Sequence, residues 1–397
     1  PDGRRTIDYK EYLGLEKLLD AQTPASKTPD ERVFITTHQL FEIAFKQMIF
    51  DLSVVAETFT AILHIDDDAQ LKKICINDED QNFWLPAVSA SNRLRFTSEI
   101  VLPNFFSYLD KSNNINTYGE TFSSAEYLKF RPYLPPASGL QSAQFRVIQR
   151  AFCKGKLFEL RLFPAQEYKQ DYDGERNAPQ LVKITSETIM RDAFVNKNQT
   201  GDSKLKNIAK IDDLAHEVLK KLARFVDEQK IIQIRKISGI EVENAVEQFR
   251  RILSIHRKHQ EIEGVMPNDA GDFDEKAVAN FREDLMKIVI EENTRRESFN
   301  EAQKTAVYLS ENAPNISLTK ILNQLVATDD ALHGSDDNSF LSRHLQMAAD
   351  RIRDVQETAR MVGKVEQPAG TGGGGVPYLI NIKNNLVPLF PFLVAFR

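Results

Sequence analysis

Residues 29 to 63 carry the pattern that most restricts the fold. Pro29-Asp30-Glu31 is a helix start, with a proline that needs no amide donor and two acids in the first turn. Phe34, Phe41, Phe45, Met48, Leu52 and Val55 then recur near the helical period. A run this long predicts one helix of about ten turns, which needs other helices or a sheet to cover its apolar stripe. Strand-type alternation is nowhere sustained enough to build that sheet, and no unit repeats at a fixed period. The expected fold class is all-α.

Further helices are expected over 92–108, from about Ser142, over 203–229, 240–261 and 274–311, from Leu318 to about Leu332, and from Phe340 to about Met361. Pro132 to Gly139, Met266 to Gly271 and Gly334 to Asn338 read as loops. The 397 residues are 42% hydrophobic and 27% charged, a balance that supports a packed core. They are expected to form a single helical domain over 1–397, with a divergent helical segment at about 155–290. Net charge is −6 without a Lys/Arg run, so a nucleic-acid partner is not expected. Cys75 and Cys153 are far apart in sequence, which favours a reducing cytosol over a disulfide framework. Pro1 to Arg5 lacks a signal-type apolar stretch. Leu386 to Phe396 is short and interrupted by Pro388 and Pro391, so no membrane span is expected. The expected setting is soluble and cytoplasmic.

The candidate chemistry is dispersed. His256 and His259 share a helix face, but Arg257 and Lys258 beside them favour a solvated surface over a metal site. His38 lies on the apolar side of its helix among Phe34, Phe41 and Phe45. That setting suits a core histidine or a polar handle in an aromatic small-molecule pocket. Arg146, between Phe145 and Val147, fits an internal ion pair or a carboxylate clamp. Gly370-Thr371-Gly372-Gly373-Gly374-Gly375 reads equally as a linker or as a lid closing over a ligand. It is not a phosphate loop, because no Gly-Lys-Ser/Thr follows. His344, with Leu341, Met347 and Ala348 on its side of the helix, fits ordinary packing or an axial haem ligand.

The order of these motifs is more specific than any one of them. Tyr9-Lys10-Glu11-Tyr12-Leu13 precedes the run Asp30-Glu31-Arg32-Val33-Phe34-Ile35-Thr36-Thr37-His38-Gln39-Leu40-Phe41-Glu42. Ser138-Gly139-Leu140-Gln141-Ser142-Ala143-Gln144-Phe145-Arg146 follows, then Arg295-Arg296-Glu297-Ser298, Arg343-His344 and Gly370-Thr371-Gly372-Gly373. In that order they resemble the tryptophan 2,3-dioxygenase family over most of the chain, faintly between about 155 and 290. Ala44 stands where that family carries a tryptophan. The 26 residues from His344 to Gly370 are closer to the spacing of the related indoleamine 2,3-dioxygenases. A second register, anchored on Arg360-Met361-Val362-Gly363, puts Asp354 at the ligand position instead.

The resemblance implies a haem-b enzyme, commonly a homotetramer, that opens the indole ring of L-tryptophan with O₂ to give N-formylkynurenine, the entry to the kynurenine pathway. It implies His344 as the iron ligand, with Gly370 and Gly372 near the cofactor. It also implies His38 as the distal catalytic residue on the indole N–H and Phe34 against the ring. Arg146 would take the substrate carboxylate and Thr371 the ammonium and carboxylate. Tyr9 and Tyr12 would reach a neighbouring subunit's site. The alternative is a haem-dependent monooxygenase or hydroxylase of a modified aromatic amino acid in natural-product biosynthesis. A haem-binding sensor is the third reading.

Overall fold

The computed structural model describes residues 7–109, 121–130, 133–134, 142–152, 211–227, 242–253, 270–334, 339–344, 346–347, 350 and 361. Among these every regular element is a helix and none is a strand, so the all-α expectation holds. No described helix is long and apolar enough to cross a membrane. The chain divides into two compact units, one of Pro1–Ala215 with Asn315–Pro391 and one of His216–Pro314 with Phe392–Arg397.

The first unit begins with two short exposed helices, α1 (Tyr9–Leu13) and α2 (Leu15–Leu19), hinged at Gly14 with φ of 61°. The long helix α3 (Pro29–Leu63) has the bounds that its periodicity predicts. Its buried stripe, Met48, Leu52, Val55, Phe59 and Ile62, steps by four and three residues, which keeps one face toward the core. Glu31 fixes its entry. The carboxylate accepts from the Ala25 and Ser26 amides, each at 2.7 Å, and from the Ser26 hydroxyl at 2.5 Å. Burial pushes the Glu31 pKa up, but these donors outweigh it and the net shift is downward.

Helix α4 (Asp68–Cys75) leads to α5 (Gln81–Phe96), which packs against α3. Small Ala87, Ala90 and Ser91 are fully buried on α5, a composition that permits close helix approach. Asp51 of α3 is also fully buried and is held by Arg93 Nη2 at 2.6 Å, Arg93 Nε at 3.1 Å and Gln47 Nε2 at 3.1 Å. The sequence reading begins this second helix at residue 92. It begins eleven residues earlier, because Asp80 accepts from the Phe83 amide as its cap and Pro86 is accommodated inside it.

A π-helical turn, Thr97–Val101, joins α5 to α6 (Leu102–Phe106). Helices α7 (Ser124–Phe130) and α8 (Ala143–Phe152) follow, and both contact α3. Helix α9 (Ile211–Leu222) runs across the division between the units.

The second unit contains α10 (242–253), α11 (Ala270–Glu297) and α12 (Glu301–Asn312). Arg282 pairs with Glu243, and Arg250 lies 4.0 Å from Glu275, so α10 and α11 run antiparallel. Phe249 and Phe281 stack between them at 4.4 Å. The expected single helix over 274–311 is two helices. Asn300 and Gln303 form a reciprocal capping box that starts α12 afresh.

The first unit is completed by α13 (Ser317–His333), which packs against α5, and by α14 from residue 340. Asp78, in the left-handed region with φ of 57°, accepts from both the Ser317 amide and hydroxyl at 3.1 Å. A carboxylate there satisfies an orphan amide and complements the positive end of α13.

Candidate functional site

The site lies in the first unit and starts from the face of α3 that bears Phe34, His38, Phe41 and Phe45, spaced four, three and four residues apart. His38 Nδ1 is 2.7 Å from the Phe34 carbonyl oxygen. A carbonyl only accepts, so Nδ1 carries the proton and Nε2 presents a lone pair. Burial lowers the His38 pKa against the opposing pull of the Phe34 carbonyl, and the ring is neutral at pH 7. The Phe34 ring lies 4.0 Å from the imidazole and is backed by Phe130 at 5.5 Å, Tyr127 at 6.1 Å and Phe122 at 6.3 Å.

A second imidazole, His344 on α14, shares this aromatic environment. Its ring is 5.8 Å from Phe106 and 6.0 Å from Phe340. Phe41 touches both of those rings, at 4.9 and 5.8 Å, and also lies 6.4 Å from His38. One aromatic layer therefore joins the two histidines. Met347, less than a turn beyond His344, packs on the Leu109–Phe122–Phe130 cluster that also holds Phe34. The π-helical turn feeds this layer: Phe105 and Phe106 both reach Phe41, at 5.6 and 4.9 Å.

The His344 pKa falls to about 4, first because burial penalises the charged ring and second because His38 repels it. Part of the residue reaches solvent, but Nδ1 is fully buried and has no hydrogen-bond partner. A neutral imidazole with an orphaned nitrogen beside aromatic rings is a donor of the type that a haem iron takes. No group of three or more His, Cys, Asp or Glu stands together for a bare metal ion among the described residues; a haem iron does not require one.

The other expected site residues are placed unevenly. Arg146 lies in α8, whose neighbouring residues dock on α3: Gln144 donates to Glu42 at 3.0 Å, and Phe145 meets Phe45 at 5.1 Å. The Arg146 side chain lies outside the described residues, as do Gly370, Thr371, Gly372 and Asp354. So do His256 and His259, and most of the 155–290 segment. Tyr9 and Tyr12 are exposed on α1, at 74% and 75%. Sequence reasoning did not single out Phe106 or Phe340. Both are phenylalanines in a chain with 25 of them, and only their convergence on His344 distinguishes them.

The family model for tryptophan 2,3-dioxygenase matches residues 2–77, the segment that carries Tyr9, Tyr12, Phe34 and His38. Tryptophan 2,3-dioxygenase B of Danio rerio is 29% identical over 191 residues, 47% of this chain and 40% of the relative. The Rattus norvegicus tryptophan 2,3-dioxygenase is 30% identical over 189 residues, 46% of this chain and 40% of the relative. That of Xenopus laevis is 30% identical over 174 residues, covering 43% and 36%. The chain spans about two fifths of the length of the curated relatives it matches. Homology to the tryptophan 2,3-dioxygenases is thus at moderate identity and over less than half of the chain.

Proposed function

We propose, from that partial homology, that this chain is a haem-dependent oxygenase that opens the indole ring of L-tryptophan, or of a close indole derivative, to N-formylkynurenine. The observation that carries the reading is the pair of neutral imidazoles, His38 on α3 and His344 on α14, joined by one aromatic layer. His344 would hold the iron of haem b through a ring nitrogen. The bound group would supply the activation of O₂. In the net reaction the C2–C3 bond of the indole breaks and each carbon gains one oxygen atom, so O₂ is fully incorporated.

The chain's own residues bind and orient. His38, its Nδ1 proton engaged by Phe34, offers Nε2 as the acceptor for the indole N–H. Its depressed basicity keeps that lone pair free at neutral pH. Phe34 packs on the flat ring. Arg146 takes the carboxylate with its planar fork. By the same resemblance, Thr371 would meet the ammonium and carboxylate, with Gly370 and Gly372 near the cofactor. Tyr9 and Tyr12, exposed in the single chain, complete a neighbour's pocket in a cytoplasmic homotetramer.

The test is the visible spectrum of the purified protein after haem reconstitution, then L-tryptophan with labelled O₂. A Soret band that shifts with L-tryptophan and a product with two labelled oxygens is the expected result. One labelled atom in a hydroxylated product replaces this reading with the monooxygenase. Absence of a Soret band refutes both. His344→Ala should lose haem; full retention removes His344 as the ligand.

A further inference from the structure

The contact between α3 and α8 is made of two different interactions. Phe145 meets Phe45 at 5.1 Å and Phe340 at 5.4 Å, part of a buried apolar face of α8 with Ile148 and Phe152 that fixes the rotation of the helix. Gln144 Nε2 donates to Glu42 Oε2 at 3.0 Å, a directional bond to a carboxylate that ties the first turn of α8 to α3. Both groups are half-buried. Glu42 is one turn beyond His38 on α3, and Gln144 is two residues before Arg146 on α8. The Phe145 amide, which donates to Ser142 Oγ at 3.1 Å, fixes the first turn of α8 at the same place.

We propose that Glu42 is a positioning residue: its bond to Gln144 ties the first turn of α8 to α3 one turn beyond His38, and so sets the distance from His38 to the backbone that carries residue 146. This rests on the reading of Arg146 as the carboxylate clamp. A flat zwitterion held at both ends is sensitive to that distance. Loss of the bond frees the first turn of α8 to shift, and a misplacement of about 1 Å costs on the order of a hundredfold in a fixed constellation. Glu42 itself need not touch the ligand. Its effect should therefore appear only for ligands that engage both ends of the site.

The experiment is calorimetric binding of L-tryptophan and of tryptamine, which lacks the carboxylate, to the anaerobic haem-loaded protein. Glu42→Ala should weaken L-tryptophan about tenfold and tryptamine less than about twofold. Glu42→Gln retains an acceptor for Gln144 and should bind like wild type. The exchanged pair Glu42→Gln with Gln144→Glu reverses donor and acceptor but keeps the bond, and should bind L-tryptophan like wild type. Gln144→Leu removes the same bond from the other helix and serves if Glu42→Ala fails to fold. Equal weakening of both ligands, or of neither, overturns the inference. If Arg146→Ala shows the carboxylate-selective loss and the Glu42 and Gln144 variants do not, only the positioning role falls. If Arg146→Ala shows none, the clamp and this inference fall together.

Discussion

His344 should make the haem-free protein acid-sensitive in a range where carboxylates are still charged. Its pKa is about 4 in the fold against an ordinary value of 6.5. The folded value is depressed, so the unfolded chain takes up the proton first. Stability is then lost as pH falls below 6.5, and the loss saturates below about 4. Integrating between those two values, from about pH 7 to about pH 5, yields about 2 kcal/mol. Solvent reaching part of the residue reduces this to about 1–2 kcal/mol. The chain has one tryptophan, and Trp84 is fully buried in the same unit. Its fluorescence during urea unfolding therefore reports the stability of the unit that holds His344. Wild type and His344→Leu should differ by a stability gap that changes by about 1–2 kcal/mol across this range. His38 is also depressed by burial and contributes with the same sign, but it is common to both proteins and cancels in the gap. A gap independent of pH would refute the argument, because it would mean that His344 titrates alike in the folded and unfolded states.

Three further outcomes follow from the geometry. Arg93→Ala should cost about 2 kcal/mol in urea unfolding, since the buried Asp51 keeps only Gln47 of its donors while water enters where the half-exposed Arg93 stood. Arg95→Ala, which breaks an exposed pair with Glu99, should cost less than about 1 kcal/mol; equal costs would contradict the role of burial. Glu31 has a net depressed pKa, so its contribution is present above the ordinary 4.5 and is lost as pH falls through the folded value. Limited proteolysis at residues 24–28 should therefore appear in acid for wild type and already at neutral pH for Glu31→Gln, and identical digestion profiles would count against the anchor. His38→Ala should keep haem but lose an about tenfold preference for L-tryptophan over its N1-methyl analogue. A preference that survives the substitution removes His38 as the N–H acceptor.

Local rules made α3 and half of the site legible. The start at Pro29, the acids at 30 and 31, and the stripe from Phe34 to Val55 all depend on residues within two turns of each other. Phe34 and His38 are four residues apart, so any helix places them on one face. The same rules failed at α5, where the expected start at residue 92 misses the first eleven residues, although the cap at Asp80 and the burial of Trp84 and Ala87 carry the helix through Pro86. They failed again at residues 298–300, where periodicity runs on and the reciprocal cap at Asn300 ends it.

Sequence alone therefore determined the fold class, the bounds of the long helix and the presence of a histidine among aromatics on its apolar face. Helical period and capping are encoded by neighbours a few residues apart, and the chain's order does not have to be folded to read them. Only the tertiary structure shows the aromatic layer that joins His344 to His38. Three hundred and six residues separate them in the chain, and nothing around His344 distinguishes a ligand from a packed imidazole. Phe41, Phe106 and Phe340 bring the two rings into one layer by converging from three helices, and the burial that results leaves Nδ1 without a partner and lowers the pKa to about 4. Desolvation is a property of the assembled surroundings, so it appears only once the helices are packed.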